Sequence, residues 1–151
     1  MTLPLKPPRK TILVVEDTPL VLSTVRMILE RANFTVLAAA SADEAMRLAE
    51  SAKTIDLLLS DVMMPDMSGP DLAKTLKELR PEMRVILMSG YNGGGMLVLN
   101  HGWYFIEKPF VAGQLVAKIN GVLDEEIRDQ GTDHFDTRKK SDLSRHAYPG
   151  I

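Results

Sequence analysis

Five times along this chain a short aliphatic run, with no polar alternation inside it, ends at polar residues, and all but the fourth give way to a segment of helical character. The runs are Thr11–Val15 before Glu16 and Asp17, Phe34–Ala39 before Ser41, Ile55–Ser60 before Asp61, Val85–Met88 before Ser89, and Trp103–Ile106 before Lys108. An unalternating apolar run fits a strand covered on both faces, as in a parallel sheet. Strict strand–helix alternation then predicts an α/β fold: a doubly wound five-stranded parallel sheet with helices on both faces and right-handed crossovers. A chain of 151 residues suits one such domain.

The helical segments carry their own start and stop signals. Thr18 followed by Pro19 reads as a cap and first helical position, and Leu22, Val25, Ile28 and Leu29 recur at helical spacing to about Arg31. Ser41-Ala42-Asp43-Glu44 fits a capping box ahead of the stripe Ala45, Leu48, Ala49, Ala52. A third helix is predicted from about Pro70 to Arg80, with Leu72, Leu76 and Leu79 facing inward and Pro81 ending it. The last runs from Val111 to about Ile127, with Leu115, Ile119, Val122 and Leu123 toward the core. Between Ser89 and Lys108 the helical segment is replaced by Asn92–Gly95 and a brief apolar stretch, Met96–Leu99. Three consecutive glycines oppose helix formation at up to ~1 kcal/mol each, so residues Asn92 to Asn100 are expected as a loop or at most one helical turn. They do not read as a phosphate-binding P-loop, since no lysine and serine follow them.

Composition removes several function classes. There is no cysteine, which excludes a disulfide scaffold, a thiolate zinc site and a thiol nucleophile. Three scattered histidines do not make a histidine-rich metal centre. A net charge of −2 leaves no overall footprint for nucleic acid. No apolar run approaches the ~18 residues that span a membrane, and the first ten residues place their basic side chains after their leucines, the wrong order for a signal peptide. The expected setting is cytoplasmic.

Ligands of an open parallel sheet bind beyond the carboxyl ends of its strands, where the strand order reverses. Glu16, Asp17, Asp61, Ser89 and Lys108 all fall on that edge. Taken singly, each is an ordinary strand terminator or solvated side chain. In the flavodoxin-like order 2-1-3-4-5, strands one and three are neighbours, which brings Asp17 and Asp61 face to face. Two like charges ~4 Å apart repel by about 4 kcal/mol at an effective dielectric near 20, so the cluster calls for counter-charge. Lys108 supplies one unit. A hard divalent cation supplies more, and oxygen-only ligands select Mg²⁺ or Mn²⁺. A metal, carboxylates, a lysine and a hydroxyl in one crevice are the parts of a phosphoryl-transfer site with a carboxylate nucleophile.

Taken together and in order, Thr11–Asp17 (TILVVED), Asp61–Gly69 (DVMMPDMSG), Met88–Tyr91 (MSGY) and Glu107–Phe110 (EKPF) resemble a response-regulator receiver domain of two-component signalling, over about residues 11 to 125. The MSGY wording is similar to receivers associated with hybrid sensor histidine kinases. The resemblance implies that Asp61 accepts the phosphoryl group. It makes Asp17, with Glu16 beside it, and Asp61 the metal-binding carboxylates, and the backbone carbonyl of Met63 a further metal ligand. Ser89 matches the hydroxyl residue that moves to the phosphoryl group, Lys108 the lysine that pairs with the aspartate, and Phe105 the switch aromatic. The Lys108–Pro109 bond is cis in that family. The implied partner is a histidine kinase or a histidine phosphotransfer protein, with the domain a regulatory phosphoacceptor rather than an enzyme, and a monomer or weak homodimer.

Two alternatives come from other classes. A phosphatase with an aspartyl-phosphate intermediate usually has a second acid two residues after its nucleophile, and Met63 stands there. A phosphorylation-independent adaptor would have no need of Asp17, Asp61, Ser89 and Lys108 together. A phosphate sink with weak output is a third reading, suggested by the glycine-rich stretch; the spacing from Ser89 to Lys108 is shorter than usual in the family. Residues 1–10 are expected as a Pro-rich lead-in, 11–127 as the receiver, and 128–151 as a polar tail or linker, too short and polar for a helix-turn-helix.

Overall fold

The computed structural model describes residues 8–90 and 102–131. The strands are β1 (Thr11–Val15), β2 (Thr35–Ala39), β3 (Leu57–Asp61), β4 (Arg84–Ser89) and β5 (Tyr104–Glu107). The helices are α1 (Pro19–Arg31), α2 (Ala42–Ser51), α3 (Gly69–Leu79) and α4 (Ala112–Gly131). All pairings are parallel, as the alternation predicted, and the order is the expected flavodoxin-like β2-β1-β3-β4-β5. The glycine-rich segment after Gly90, expected as a loop, lies outside the described residues, as do the lead-in's first seven residues and the chain after Gly131.

The absence of alternation within the strands has its cause in two separate cores. Leu13, Val15, Leu58, Val85 and Leu87 point to one face, where Ala42, Ala45 and Ala49 of α2 and Leu72, Ala73 and Leu76 of α3 cover them. Ile12, Val14, Leu57, Leu59, Ile86 and Met88 point to the other, against Val25 and Leu29 of α1 and Leu115, Ile119 and Val122 of α4. Successive side chains go to opposite faces, and both faces are dry, so both sets are apolar. Each fully buried leucine contributes roughly 1.5–3 kcal/mol relative to exposure.

Local chemistry departs from the sequence expectation in several places. Phe34 precedes β2 rather than opening it: Asn33 has a φ of 70°, a conformation asparagine tolerates, and the Phe34 N–H bonds to the Leu29 carbonyl at 3.0 Å, closing α1. The Thr18 hydroxyl does not cap α1. The capping box of α2 does form, with Ser41 Oγ accepting from the Glu44 N–H at 3.1 Å, but the Glu44 carboxylate reaches back to the Ala40 N–H at 2.7 Å, one residue earlier than the standard arrangement. Leu79 is not inward; it is 64% exposed. The inward row runs Leu72, Leu76 and then, four residues on, Arg80. The Arg80 guanidinium lies across the end of α2 and donates to the carbonyls of Ala49 (2.8 Å), Ala52 (2.5 Å) and Lys53 (3.4 Å). A cation there satisfies orphan carbonyls and the helix dipole together. α4 continues past Ile127 to Gly131.

Candidate functional site

Parallel register brings the strand ends to one edge. Val15 is level with Ser60, Asp61 with Met88, and Ser89 with Glu107. Immediately beyond lie Glu16, Asp17 and Lys108. One carboxylate oxygen from each of Glu16, Asp17 and Asp61 falls within 4.8 Å of the other two. Asp17 is exposed, Asp61 half-buried and Glu16 has no exposure at all.

Glu16 is buried because its backbone N–H still bonds to the Ala39 carbonyl, at 3.1 Å, which keeps it in the sheet. A carboxylate without solvent needs partners, and two are supplied. Lys108 Nζ donates to Oε1 at 2.6 Å and the Thr18 N–H to Oε2 at 3.1 Å. Glu16 thus holds the backbone of the residue that precedes α1, while the Thr18 hydroxyl makes no cap bond. Lys108 also faces Asp61 Oδ1, but at 3.5 Å, so its tighter partner is Glu16, not the aspartate that the resemblance paired with it. The lysine backbone is fixed as well: its N–H donates to the Ser89 carbonyl at 2.7 Å, and the peptide to Pro109 is cis.

The Asp61 carboxyl titrates above its ordinary value of 3.8. Burial is the largest cause. Lys108 pulls the other way, and the charges of Glu16 and, less strongly, Asp17 add to the rise. Repulsion between Asp17 and Asp61, the main strain expected from their facing positions, is outweighed in the folded site by desolvation.

The backbone of Asp61 is held as closely as its side chain. Ser60 Oγ donates to the Asp61 carbonyl at 2.9 Å, and the Val62 N–H donates to Met88 of β4 at 2.9 Å. Gly69, the first residue of α3, packs directly on that carbonyl: a Cβ added there would sit 2.2 Å from the Asp61 oxygen and 3.2 Å from Val62 Cα. Both are main-chain atoms that have no rotamer to swing away. Gly69→Ala is expected to destabilise the fold by about 1–3 kcal/mol through overpacking, read as a lower urea midpoint. An unchanged midpoint would contradict the close approach.

Ser89 is buried at 5% exposure at the end of β4. Phe105, on β5, is half-buried and packs with the core that holds Val85 and Leu87. Met63 follows Asp61 by two residues and is 81% exposed. Spacing alone could not find Ser60, Gly69 or the Thr18 amide, because their roles arise only from main-chain contacts across the site.

The sequence profile of the response regulator receiver domain matches residues 12–120. This chain belongs to the response-regulator receiver family. Among relatives, the sensor kinase CckA of Brucella abortus is 32% identical over 120 residues, covering 77% of this chain and 13% of the relative. The C4-dicarboxylate transport regulator DctD of Rhizobium meliloti is 35% identical over 109 residues, covering 70% of this chain and 24% of the relative. The chain therefore spans a small part of these relatives' length. Among solved structures, a CheY-like receiver from Methanospirillum hungatei JF-1 superposes with a TM-score of 0.74 at 34% identity, covering 80% of this chain and 98% of that one. The receiver domain of the hybrid histidine kinase CckA gives 0.65 at 36% identity, covering 75% and 98%.

Receivers are regulatory domains of two-component systems that bind Mg²⁺ at an acidic cluster. The three carboxylates here are a hard, oxygen-only donor set of the kind that suits Mg²⁺. Among the described residues no helix is long and apolar enough to cross a membrane.

Proposed function

We propose that this receiver takes a phosphoryl group from a phosphohistidine of a histidine kinase or histidine phosphotransfer protein onto Asp61, in the cytoplasm. The observation that carries the reading is the placement of the Asp61 carboxylate 3.5 Å from Lys108 and within 4.8 Å of the carboxylates of Glu16 and Asp17. An Asp61 oxygen attacks phosphorus, the P–N bond breaks, and the imidazole leaves with the electron pair and takes up a proton. The product is an acyl phosphate, which water later hydrolyses. Asp17, Asp61 and the Met63 carbonyl would hold Mg²⁺, which supplies positive charge for the phosphoryl oxygens.

Glu16, whose two oxygens are held by Lys108 and the Thr18 N–H, has a different task in this reading. Its contact with Nζ aims the lysine at the place where phosphoryl charge develops. Ser89 and Phe105 form the responding pair: the hydroxyl turns to the phosphoryl oxygens and the ring follows into the space released. A kinase or phosphotransfer partner is supported by the likeness to the receivers of CckA. The phosphatase alternative is disfavoured by the exposed thioether of Met63 where such an enzyme needs an acid. The test is incubation of the full chain with Mg²⁺ and a small acyl-phosphate donor. Intact mass is expected to rise by one phosphoryl group and to stay unchanged when the metal is chelated. No mass gain with Mg²⁺ present would remove the reading.

A further inference from the structure

We propose that Asp66 is a positioning residue of the site: its carboxylate, seated on the N-terminus of α2, holds the loop between β3 and α3 and so fixes the backbone of Met63 beside the acidic cluster. The inference rests on the Mg²⁺ and phosphoryl reading of that cluster.

Three observations lead to it. First, Met63 is 81% exposed, so its side chain does not pack to hold its own backbone in place. The position of its carbonyl must come from its neighbours. Second, the loop is tied at both ends, by the Val62 N–H to Met88 and by the Gly69 N–H to the Val62 carbonyl at 2.8 Å. Between those ties Met64 and Met67 lean on the core, and Asp66 makes the cross-connection to another element. Third, that connection spans a long sequence separation. Asp66 Oδ2 accepts from the Asp43 N–H at 3.2 Å and Oδ1 from the Ala42 N–H at 3.5 Å.

The capping of α2 explains why the contact is more than a helix cap. The Glu44 N–H is taken by Ser41 Oγ and the Ala45 N–H by the Ser41 carbonyl. Ser41 thus serves the local need in the ordinary way. The two remaining first-turn donors are left for an acceptor from elsewhere, and the one that arrives is an anion from the loop of the site, where charge-assisted bonds and the helix dipole both favour it. Desolvation draws the Asp66 carboxyl upward, yet the N–H groups of Asp43, Asp66, Ala42 and Met67 outweigh it and hold the group below its ordinary range.

Outer partners that orient a metal ligand typically cost 10–100-fold in affinity when removed. Calorimetric Mg²⁺ titration of the full chain is therefore expected to show about tenfold weaker binding for Asp66→Ala. Ser41→Ala, which uncaps the same helix without touching the loop, should lower the melting temperature by a similar few degrees and leave Mg²⁺ affinity unchanged. Asp66→Asn, which keeps an acceptor oxygen, should recover most of the affinity. Linkage is reciprocal, so in the unmutated protein Mg²⁺ should slow hydrogen exchange at the Ala42 and Asp43 amides, a measurement that requires no variant. Unchanged affinity in Asp66→Ala, an equal loss in Ser41→Ala, or Mg²⁺ protection that stops at Met64 would each overturn the tether and leave the cluster's reading intact. Absence of Mg²⁺ binding by the unmutated chain would overturn the cluster's reading itself and the tether with it.

Discussion

Asp61→Asn will accept no phosphoryl group from an acyl-phosphate donor under conditions that label the unmutated chain, because an amide oxygen lacks the nucleophilic charge and the attack forms no stable acyl phosphate. The same change should stabilise the metal-free protein at neutral pH. The sign follows from the raised pKa of Asp61. Its carboxyl holds a proton more tightly in the folded chain than in the unfolded one. Stability therefore falls as pH rises from the ordinary carboxylate value through the folded one. At neutral pH the folded state carries the full cost of an ionised, partly buried carboxylate that Lys108 only partly offsets. Asparagine carries no such cost. The melting-temperature advantage of Asp61→Asn without metal should shrink as pH is lowered through the folded pKa, and it should disappear below the unfolded one. Mg²⁺ should reverse the ranking, since it binds the folded site of the unmutated chain. Labelling of Asp61→Asn at full rate, or a metal-free stability advantage that grows on acidification, would contradict the assignment.

Lys108→Met is expected to cost about 3–5 kcal/mol of folding stability, the usual consequence of leaving a buried charge without its partner. The reason is Glu16, which has no solvent exposure and loses a 2.6 Å contact. Asp61 would lose less, because its lysine contact is 3.5 Å and its side chain keeps some water access, at 15% exposure. The double variant Glu16→Gln with Lys108→Met removes the stranded charge and should regain most of the loss, while Asp61→Asn with Lys108→Met should regain much less. Urea unfolding of the three variants reads this directly. If the Asp61 combination recovered more stability than the Glu16 combination, the lysine's principal partner would be Asp61 and the site geometry would need revision.

The local sequence of this chain carries strong information wherever one residue's environment is set by its own strand or helix. Thr11–Val15 and Leu57–Leu59 could be read as strands covered on both faces because nothing polar interrupts them. Ser41 and Glu44 could be read as caps because the bond closes within one helical turn. Local sequence is silent where a contact crosses between elements. Leu79 fits the helical spacing of Leu72 and Leu76, yet the inward position at that end belongs to Arg80, whose partners are carbonyls of another helix. Thr18 has the chemistry of a cap, but its hydroxyl makes no cap bond, and its own N–H is taken by Glu16, which a sheet hydrogen bond holds in place.

The candidate site divides the same way. By itself the sequence determined the parallel α/β fold through its alternation, the strand order through the family its motifs resemble, and the residues that reach the carboxyl edge: Glu16, Asp17, Asp61, Ser89 and Lys108. Strand ends in a parallel sheet all point one way, so chain order already implies their convergence. Which groups pair within that cluster was decided only by the tertiary structure. Burial of Glu16 makes it the acceptor that Lys108 approaches most closely, desolvation outweighs the Asp17 charge in raising Asp61, Gly69 packs on the main chain of Asp61, and Asp66 bonds to main-chain amides at the start of α2. Such choices turn on ångström differences in distance and on access to water, and neither quantity is encoded by residue type or spacing.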